Sequence, residues 1–175
     1  MVDDNLSLRR AVLTGIGAYL PAQIVTNADM AARVETSDDW ITERTGIKQR
    51  HFAAPHETAA FMGAEAGRQA LERAGLAPEA LGAIIVGTST PDQAFPSTAV
   101  HIQAALGAKN AFGFDLSAAC SGFIYALSVA DAMLRAGQVQ SVLVIGAEVY
   151  SRILNFEDRT TCCLLYTSDA ADEED

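Results

Sequence analysis

The sequence predicts an α/β fold, a mostly parallel sheet with helices on both faces. Three observations point there. Residues 83–88 (AIIVGT) and 141–147 (SVLVIGA) are short, continuous apolar runs, the pattern of strands covered on both sides. Residues 58–74, 97–106 and 121–136 have helical composition, and each stretch is followed by a glycine, Gly75, Gly107 or Gly137, where a left-handed cap closes a helix. Strand and helix patterns alternate along the chain, which is how parallel sheets are built.

The elements follow in order. Residues 10–20 (RAVLTGIGAYL) read as a β-prone strand ended by Pro21. Ser37-Asp38-Asp39-Trp40 reads as a helix start, with Ser37 capping the orphan amides and two aspartates at the positive end of the dipole. Residues 58–74 are rich in Ala with Glu and Arg, which favours helix. A buried strand at 83–88, a helix at 97–106 and a short strand at 111–115 come next. The helix at 121–136 has interior polar residues only at Ser128, Asp131 and Arg135, a single narrow stripe. A helix apolar on its remaining sides belongs in a core. The strand at 141–147 follows. There is no internal repeat and no low-complexity linker.

Composition excludes several classes. Half of the 175 residues are hydrophobic, as in a globular domain with a core. No apolar run approaches the ~20 residues of a membrane helix. The start, Met1-Val-Asp-Asp-Asn5, is acidic and polar, unlike a secretory signal, so a cytoplasmic location is expected. The net charge is −10, which argues against nucleic-acid binding. Half of that charge comes from Asp169, Asp172, Glu173, Glu174 and Asp175, which no Lys or Arg balances after Cys163. The three cysteines, Cys120, Cys162 and Cys163, form no disulfide framework. His51, His56 and His101 are scattered, so no metal site is expected.

Cys120 lies in Asp115-Leu-Ser-Ala-Ala-Cys-Ser-Gly-Phe123, between a short strand and the apolar helix. The thiolate is the reactive form of cysteine, and a helix N-terminus favours it. Ala118, Ala119 and Gly122 leave room for a carbonyl to approach the sulfur and nearby amides. The competing reading is ordinary: a free cysteine most often just packs.

The segment Ala118–Phe123 (AACSGF) resembles the nucleophile motif of the β-ketoacyl-[acyl-carrier-protein] synthase III family. Further matches follow the family's order: Leu20-Pro21 with Thr26-Asn-Ala-Asp29, Thr36-Ser-Asp-Asp-Trp40, Arg44-Thr-Gly-Ile47, Arg50-His51, Ala94-Phe-Pro-Ser97, Tyr125–Asp131 and Asp158-Arg-Thr160. The resemblance covers residues 9–162. It implies the N-terminal half of a thiolase-like fold, truncated before its last strand, with residues 1–8 as a loose tail. It implies decarboxylative Claisen condensation of an acyl-CoA with malonyl-ACP through a cysteinyl thioester, as the first step of fatty-acid synthesis. Position by position, it implies Cys120 as nucleophile and Trp40 and Arg159 as the sandwich around the CoA adenine. It also implies Thr36 and Arg44 at the CoA nucleotide. Phe95 matches a residue that reaches toward a dimer partner's acyl pocket; packing in its own core is the ordinary alternative. No cofactor is implied, since CoA thioester is substrate. The implied partners are acyl-CoA, the acyl carrier protein and a second copy in the full-length parent. The catalytic His and Asn are expected in the missing C-terminal half. The acyl carrier protein is acidic, so Arg44, Lys48 and Arg50 are candidates for its docking face.

After Cys162 the sequence departs from the family and resembles a translated sequencing adapter, so residues 163–175 are expected not to be native. A lone half is expected to be poorly soluble and inactive, with the helix after Cys120 bared on a side meant for burial. Two other readings compete. The chain could serve another thiolase-superfamily condensing enzyme, such as a polyketide- or quinolone-type synthase, hydroxymethylglutaryl-CoA synthase or a thiolase. It could also be a non-catalytic scaffold of that fold. Gly15-Ile-Gly17 is a poor dinucleotide fingerprint, lacking the third glycine and the helix that should follow.

Overall fold

β3 (Ala83–Gly87) is buried at every position, as its unbroken apolar run predicts. β4 (Phe112–Leu116) and β5 (Val142–Gly146) flank it, and both run parallel to it. The computed structural model describes residues 10–164. The expected tail at 1–8 and residues 165–175 lie outside the described residues. The chain divides into two compact units, residues 10–19 with 57–148, and residues 20–56 with 149–164.

In the first unit the period of the sheet decides which helix covers which face. Ile85, with Phe114, Val142 and Val144, packs against Ala126 and Ala130 of α5 (Gly122–Arg135). Leu143 and Ile145 point the other way, toward Gly67 and Gly63 of α3 (Ala59–Ala74). α4 (Thr98–Leu106) packs on α3 and β4. Helices therefore cover both faces, as expected. Thr58 caps α3, accepting a hydrogen bond from the Phe61 amide. Gly75 closes it at φ 62°, a conformation that glycine adopts without penalty.

α5 buries only Gly122, Ala126 and Ala130. These recur every fourth residue, so one thin stripe meets the sheet. Phe123, Ile124, Tyr125 and Leu127 remain exposed, the bared side expected of this helix in a lone half. On the polar stripe Asp131 and Arg135 lie 3.6 Å apart.

The strand expected at 10–20 is not formed. These residues join no sheet among the described residues. Gly15 and Gly17 instead press onto the backbone of α3. A Cβ added at Gly15 would fall 2.1 Å from the Ala70 carbonyl oxygen, and one at Gly17 would fall 2.0 Å from that of Ala66. Val12, Leu13 and Ile16 stay exposed. The segment is β-prone in composition, but no described strand lies beside it to complete a ladder.

The second unit holds an antiparallel pair that sequence reading missed, β1 (Gln23–Thr26) with β2 (Gln49–Phe52). Between them lie α1 (Asn27–Ala31) and α2 (Asp38–Thr45). Thr26 and Asp29 form a reciprocal capping box on α1. The core joins Val25, Met30, Ile41 and Phe52 to Leu154, Cys162 and Cys163.

Candidate active site

Cys120 sits in a single 3-10 turn, Ala119–Ser121, between the C-terminal end of β4 and the start of α5. The ends of parallel strands are where α/β folds bind ligands. Ala119 is the described residue other than glycine with positive φ, at 45°. Such a conformation costs about 1–2 kcal/mol, and it turns the chain sharply so that the next side chain stands clear. Cys120 is exposed, whereas Cys162 and Cys163 are buried. Burial, and then the contact with Cys163 at 3.7 Å, push the Cys162 thiol up to about 11. The packing role usual for a free cysteine thus falls to that pair, and Cys120 is the described thiol open to a reagent.

One close backbone approach fixes the turn. Gly87, at the end of β3, abuts the start of α5: a Cβ there would lie 2.7 Å from the Gly122 carbonyl carbon and 2.9 Å from the Phe123 nitrogen. Only a residue without a side chain admits this approach, and sequence reading did not single Gly87 out. The amides after the cysteine are already engaged. The Ser121 N–H donates to the Ala118 carbonyl at 3.0 Å and the Gly122 N–H to that of Ala119, so neither is free for an incoming oxyanion.

The second unit gathers Trp40, Arg44 and Arg159. The guanidinium carbons of Arg44 and Arg159 lie 4.4 and 4.5 Å from the centre of the Trp40 ring, within range of a cation–π contact. The sequence reading expected a slot between Trp40 and Arg159; the two are in direct contact. A planar ring between them would need about 7 Å, two stacking distances of ~3.5 Å. α2 holds Trp40 and Arg44 in place. Ser37 accepts a hydrogen bond from the Trp40 amide at 3.0 Å. The buried Asn27 donates to Asp38 at 2.7 Å and to the Ile47 carbonyl at 2.8 Å. Lys48 reaches Asp38 at 3.2 Å. The Asn27 amide, and then Lys48, hold the Asp38 carboxyl below the usual carboxylate range.

Asp158 orients the other arm. It accepts from the Thr160 hydroxyl at 2.7 Å and amide at 2.8 Å, and these bonds lower its pKa. A depression of about 360 Å³ is lined by Val34, Glu35, Glu157, Asp158 and Arg159. Its three carboxylates outnumber the one guanidinium, so an anionic ligand is better served by the Arg44 and Lys48 side. Thr36 lies in the same unit, its hydroxyl oxygen buried without a hydrogen-bond partner among the described residues.

One basic candidate is corrected. Arg50 is only 4% exposed, with its guanidinium toward the Val25 carbonyl beneath β1. Its place on β2 turns the side chain inward, so it cannot belong to a docking face. Phe95 stands at the opposite extreme, 87% exposed, so it does not pack in the described core.

The family model described as 3-Oxoacyl-[acyl-carrier-protein (ACP)] synthase III matches residues 114–171. A relative from Acidiphilium cryptum, a beta-ketoacyl-[acyl-carrier-protein] synthase III, is 66% identical over 157 residues, 90% of this chain and 49% of the relative. The Granulibacter bethesdensis protein of the same name is 57% identical over 88% of this chain and 48% of its own length. The chain thus spans about half the length of the curated relatives it matches. Among solved structures, the 3-oxoacyl-[acyl-carrier-protein] synthase III of Aquifex aeolicus superposes with a TM-score of 0.83 at 51% identity, covering 86% of this chain and 48% of that one. The priming beta-ketosynthase of the R1128 polyketide pathway gives 0.84 at 40% identity, covering 87% and 46%.

Proposed function

Because the chain matches the N-terminal half of β-ketoacyl-[acyl-carrier-protein] synthase III, we propose that it carries the nucleophile and the CoA-nucleotide contacts of an enzyme that starts fatty-acid synthesis. Its fold is the corresponding α/β, thiolase-like half-domain. The observation that carries the reading is the exposed Cys120 on a positive-φ turn at a strand-to-helix junction.

In this reading the Cys120 thiolate adds to the thioester carbonyl of an acyl-CoA, acetyl-CoA in the first instance. The carbon–sulfur bond to CoA breaks, and CoA leaves as a thiolate that takes a proton from solvent. Malonyl-ACP then loses CO₂. The electron pair of the broken bond attacks the cysteinyl carbonyl, and Cys120 departs as the thiolate, leaving a β-ketoacyl-ACP. Trp40 and Arg159 stack on the adenine, and Arg44 and Thr36 contact the nucleotide. The His and Asn that assist decarboxylation and polarise the thioester come from the part of the relatives that this chain does not span. For the acyl carrier protein, Lys48 and Arg44 remain as basic contacts. The enzyme works in the cytoplasm as a homodimer without a cofactor, and a chain of this length is inactive alone. No described helix is long and apolar enough to cross a membrane.

The test is a chimera joining residues 9–162 to the C-terminal half of the 66%-identical relative. Acetoacetyl-ACP formed from acetyl-CoA and malonyl-ACP, and lost in Cys120→Ser, supports the proposal. A folded chimera with no product refutes it. The likeness to a priming ketosynthase of a polyketide pathway supports one alternative, the same condensation in a polyketide pathway. A higher kcat/KM for an acyl-CoA other than acetyl-CoA would select it.

A further inference from the structure

Two carboxylates hold the loop that carries Phe95, residues 88–97 between β3 and α4, and a third caps the helix that follows it. At its start, Glu148, just past the end of β5, accepts from the Ser89 amide at 2.7 Å and from the Thr90 hydroxyl at 2.5 Å. In its middle, Asp92 accepts from the Ala59 and Ala60 amides at 2.8 and 2.9 Å, fastening the loop to the first turn of α3. At its end, Asp115 of β4 accepts from the Thr98 and Ala99 amides at 2.7 and 2.8 Å. Asp115 does the capping of α4 that Ser97, at the N-cap position, does not do. Gln93 and His101 add a side-chain hydrogen bond at 2.9 Å.

Glu148 and Asp92 join the loop to two different parts of the same unit, and Asp115 fixes the helix start where the loop ends. Hydrogen bonds from amides and hydroxyls to carboxylates are among the stronger kind. So many bonds on a short loop leave it little freedom, yet its aromatic residue is the most exposed of the large hydrophobics. A loose loop would let Phe95 fold back onto the apolar surface of its own unit. A pinned loop keeps it extended and removes the ordering cost of inserting it elsewhere.

We infer that Glu148 and Asp92 are positioning residues that hold Phe95 as a rigid finger, and that through it they set the acyl-chain length a second copy's pocket accepts. The inference rests on the reading of Phe95 as an acyl-pocket residue. Loosening the finger relaxes the fit around the acyl chain. One or two methylenes of pocket fit correspond to discrimination of ten-fold and upward, so a partial loss is expected to read as a ~3- to 30-fold change.

The experiment compares kcat and KM for acetyl-CoA and butyryl-CoA in the chimera and in four variants: Phe95→Ala, Glu148→Gln, Asp92→Asn and Thr90→Val. The last removes a hydroxyl donor to Glu148 and keeps the shape, so it reads the same contact if a carboxylate variant fails to fold. Phe95→Ala is expected to raise the butyryl-to-acetyl ratio of kcat/KM by ~3- to 30-fold. Glu148→Gln and Asp92→Asn are expected to follow in the same direction, with Thr90→Val weaker. In Glu148→Gln and Asp92→Asn the change should lie in KM for butyryl-CoA, with kcat for acetyl-CoA within about two-fold, and Glu148→Asp should recover part of it. A shift with Phe95→Ala and none with the folded pin variants overturns the positioning role and leaves the reading of Phe95 standing. No shift with Phe95→Ala overturns both. Equal loss toward both substrates in the pin variants shows a merely structural role and also overturns the inference.

Discussion

Gly87→Ala and Gly122→Ala place a methyl group on either side of one backbone contact, and their costs should differ. A Cβ on Gly87 lies 2.7 Å from the Gly122 carbonyl carbon and 2.9 Å from both the Gly122 oxygen and the Phe123 nitrogen. Ordinary carbon contacts fall at about 3.5–4.0 Å, so the first turn of α5 must retreat by ~0.8–1 Å. Forcing an extra carbon into such a contact costs about 1–3 kcal/mol. Gly122 faces the reverse situation. Its added Cβ meets Gly87 Cα at 3.4 Å and nothing closer, and its φ and ψ are −54° and −45°, helical values at which alanine is preferred by up to ~1 kcal/mol. Gly122→Ala should therefore lie within ~0.5 kcal/mol of the parent or be slightly stabilising. The assay is urea unfolding of the chimera, followed by circular dichroism at one fixed protein concentration, since association shifts apparent stability. With a urea dependence of ~2 kcal/mol/M, Gly87→Ala should lower the midpoint by ~0.5–1.5 M. A displacement near 1 Å at the nucleophile should also slow acylation by ~100-fold. Equal costs for the two variants, or Gly87→Ala at the parent's midpoint and rate, would refute the packing argument.

Three shorter tests follow. Ellman's reagent should modify one thiol of the folded 175-residue chain quickly, Cys120, with Cys162 and Cys163 reacting only in denaturant; two or three fast thiols, or a fast phase that survives Cys120→Ser, would contradict the burial pattern. Trp40 is the chain's only tryptophan, so its fluorescence reports on the stack with Arg159. Saturating CoA should change it by insertion of the adenine, Arg159→Ala should mimic part of that change, and an unchanged spectrum with CoA demonstrably bound would refute the insertion. Asp29, Asp38 and Asp158 all have carboxyls held below their ordinary value, chiefly by the Thr26 hydroxyl, the Asn27 amide and the Thr160 hydroxyl respectively. A carboxyl whose folded pKa is depressed contributes stability above its unfolded value near 3.9 and loses it as the pH falls through the folded value. The environment of Trp40 should therefore hold down to about pH 4 and loosen below it, and a transition above pH 5 would assign the effect to other groups.

What the sequence disclosed was local. The stop of α3 is read from Gly75, next to the helix it closes, whereas Thr58 reads as part of the helix and the structure makes it the N-cap. β3 is read from an unbroken apolar run, and the strand–Cys120–helix order from the short strand at 111–115 and the single polar stripe of residues 121–136. The misses share one physical cause, contact between residues far apart in the chain. β1 and β2 pair Val25 with Arg50, and neither short, mixed-polarity segment carries the pattern of a half-buried strand. Arg50 reads as a surface cation because its burial is imposed by the sheet around it. The pins at Asp92, Asp115 and Glu148 reach amides on other elements, and no spacing rule joins them. Residues 10–20 fail in the opposite sense: their β propensity is plain, but a strand needs a neighbour, and composition does not supply one. At the candidate site the resemblance named the residues. The closed contact of Trp40 with Arg159, and the engaged amides after Cys120, came from geometry.

The central claim is that Cys120 accepts the acyl group. Its most direct measurement is the stoichiometry of radiolabelled acetyl transferred from acetyl-CoA to the folded chimera, with the labelled peptide mapped after digestion. The account predicts close to one acetyl per chain, on the peptide containing Cys120, stable to unfolding, released by hydroxylamine and absent in Cys120→Ser. A folded chimera that binds CoA yet takes up no acetyl, or takes it up on another residue, would contradict the account.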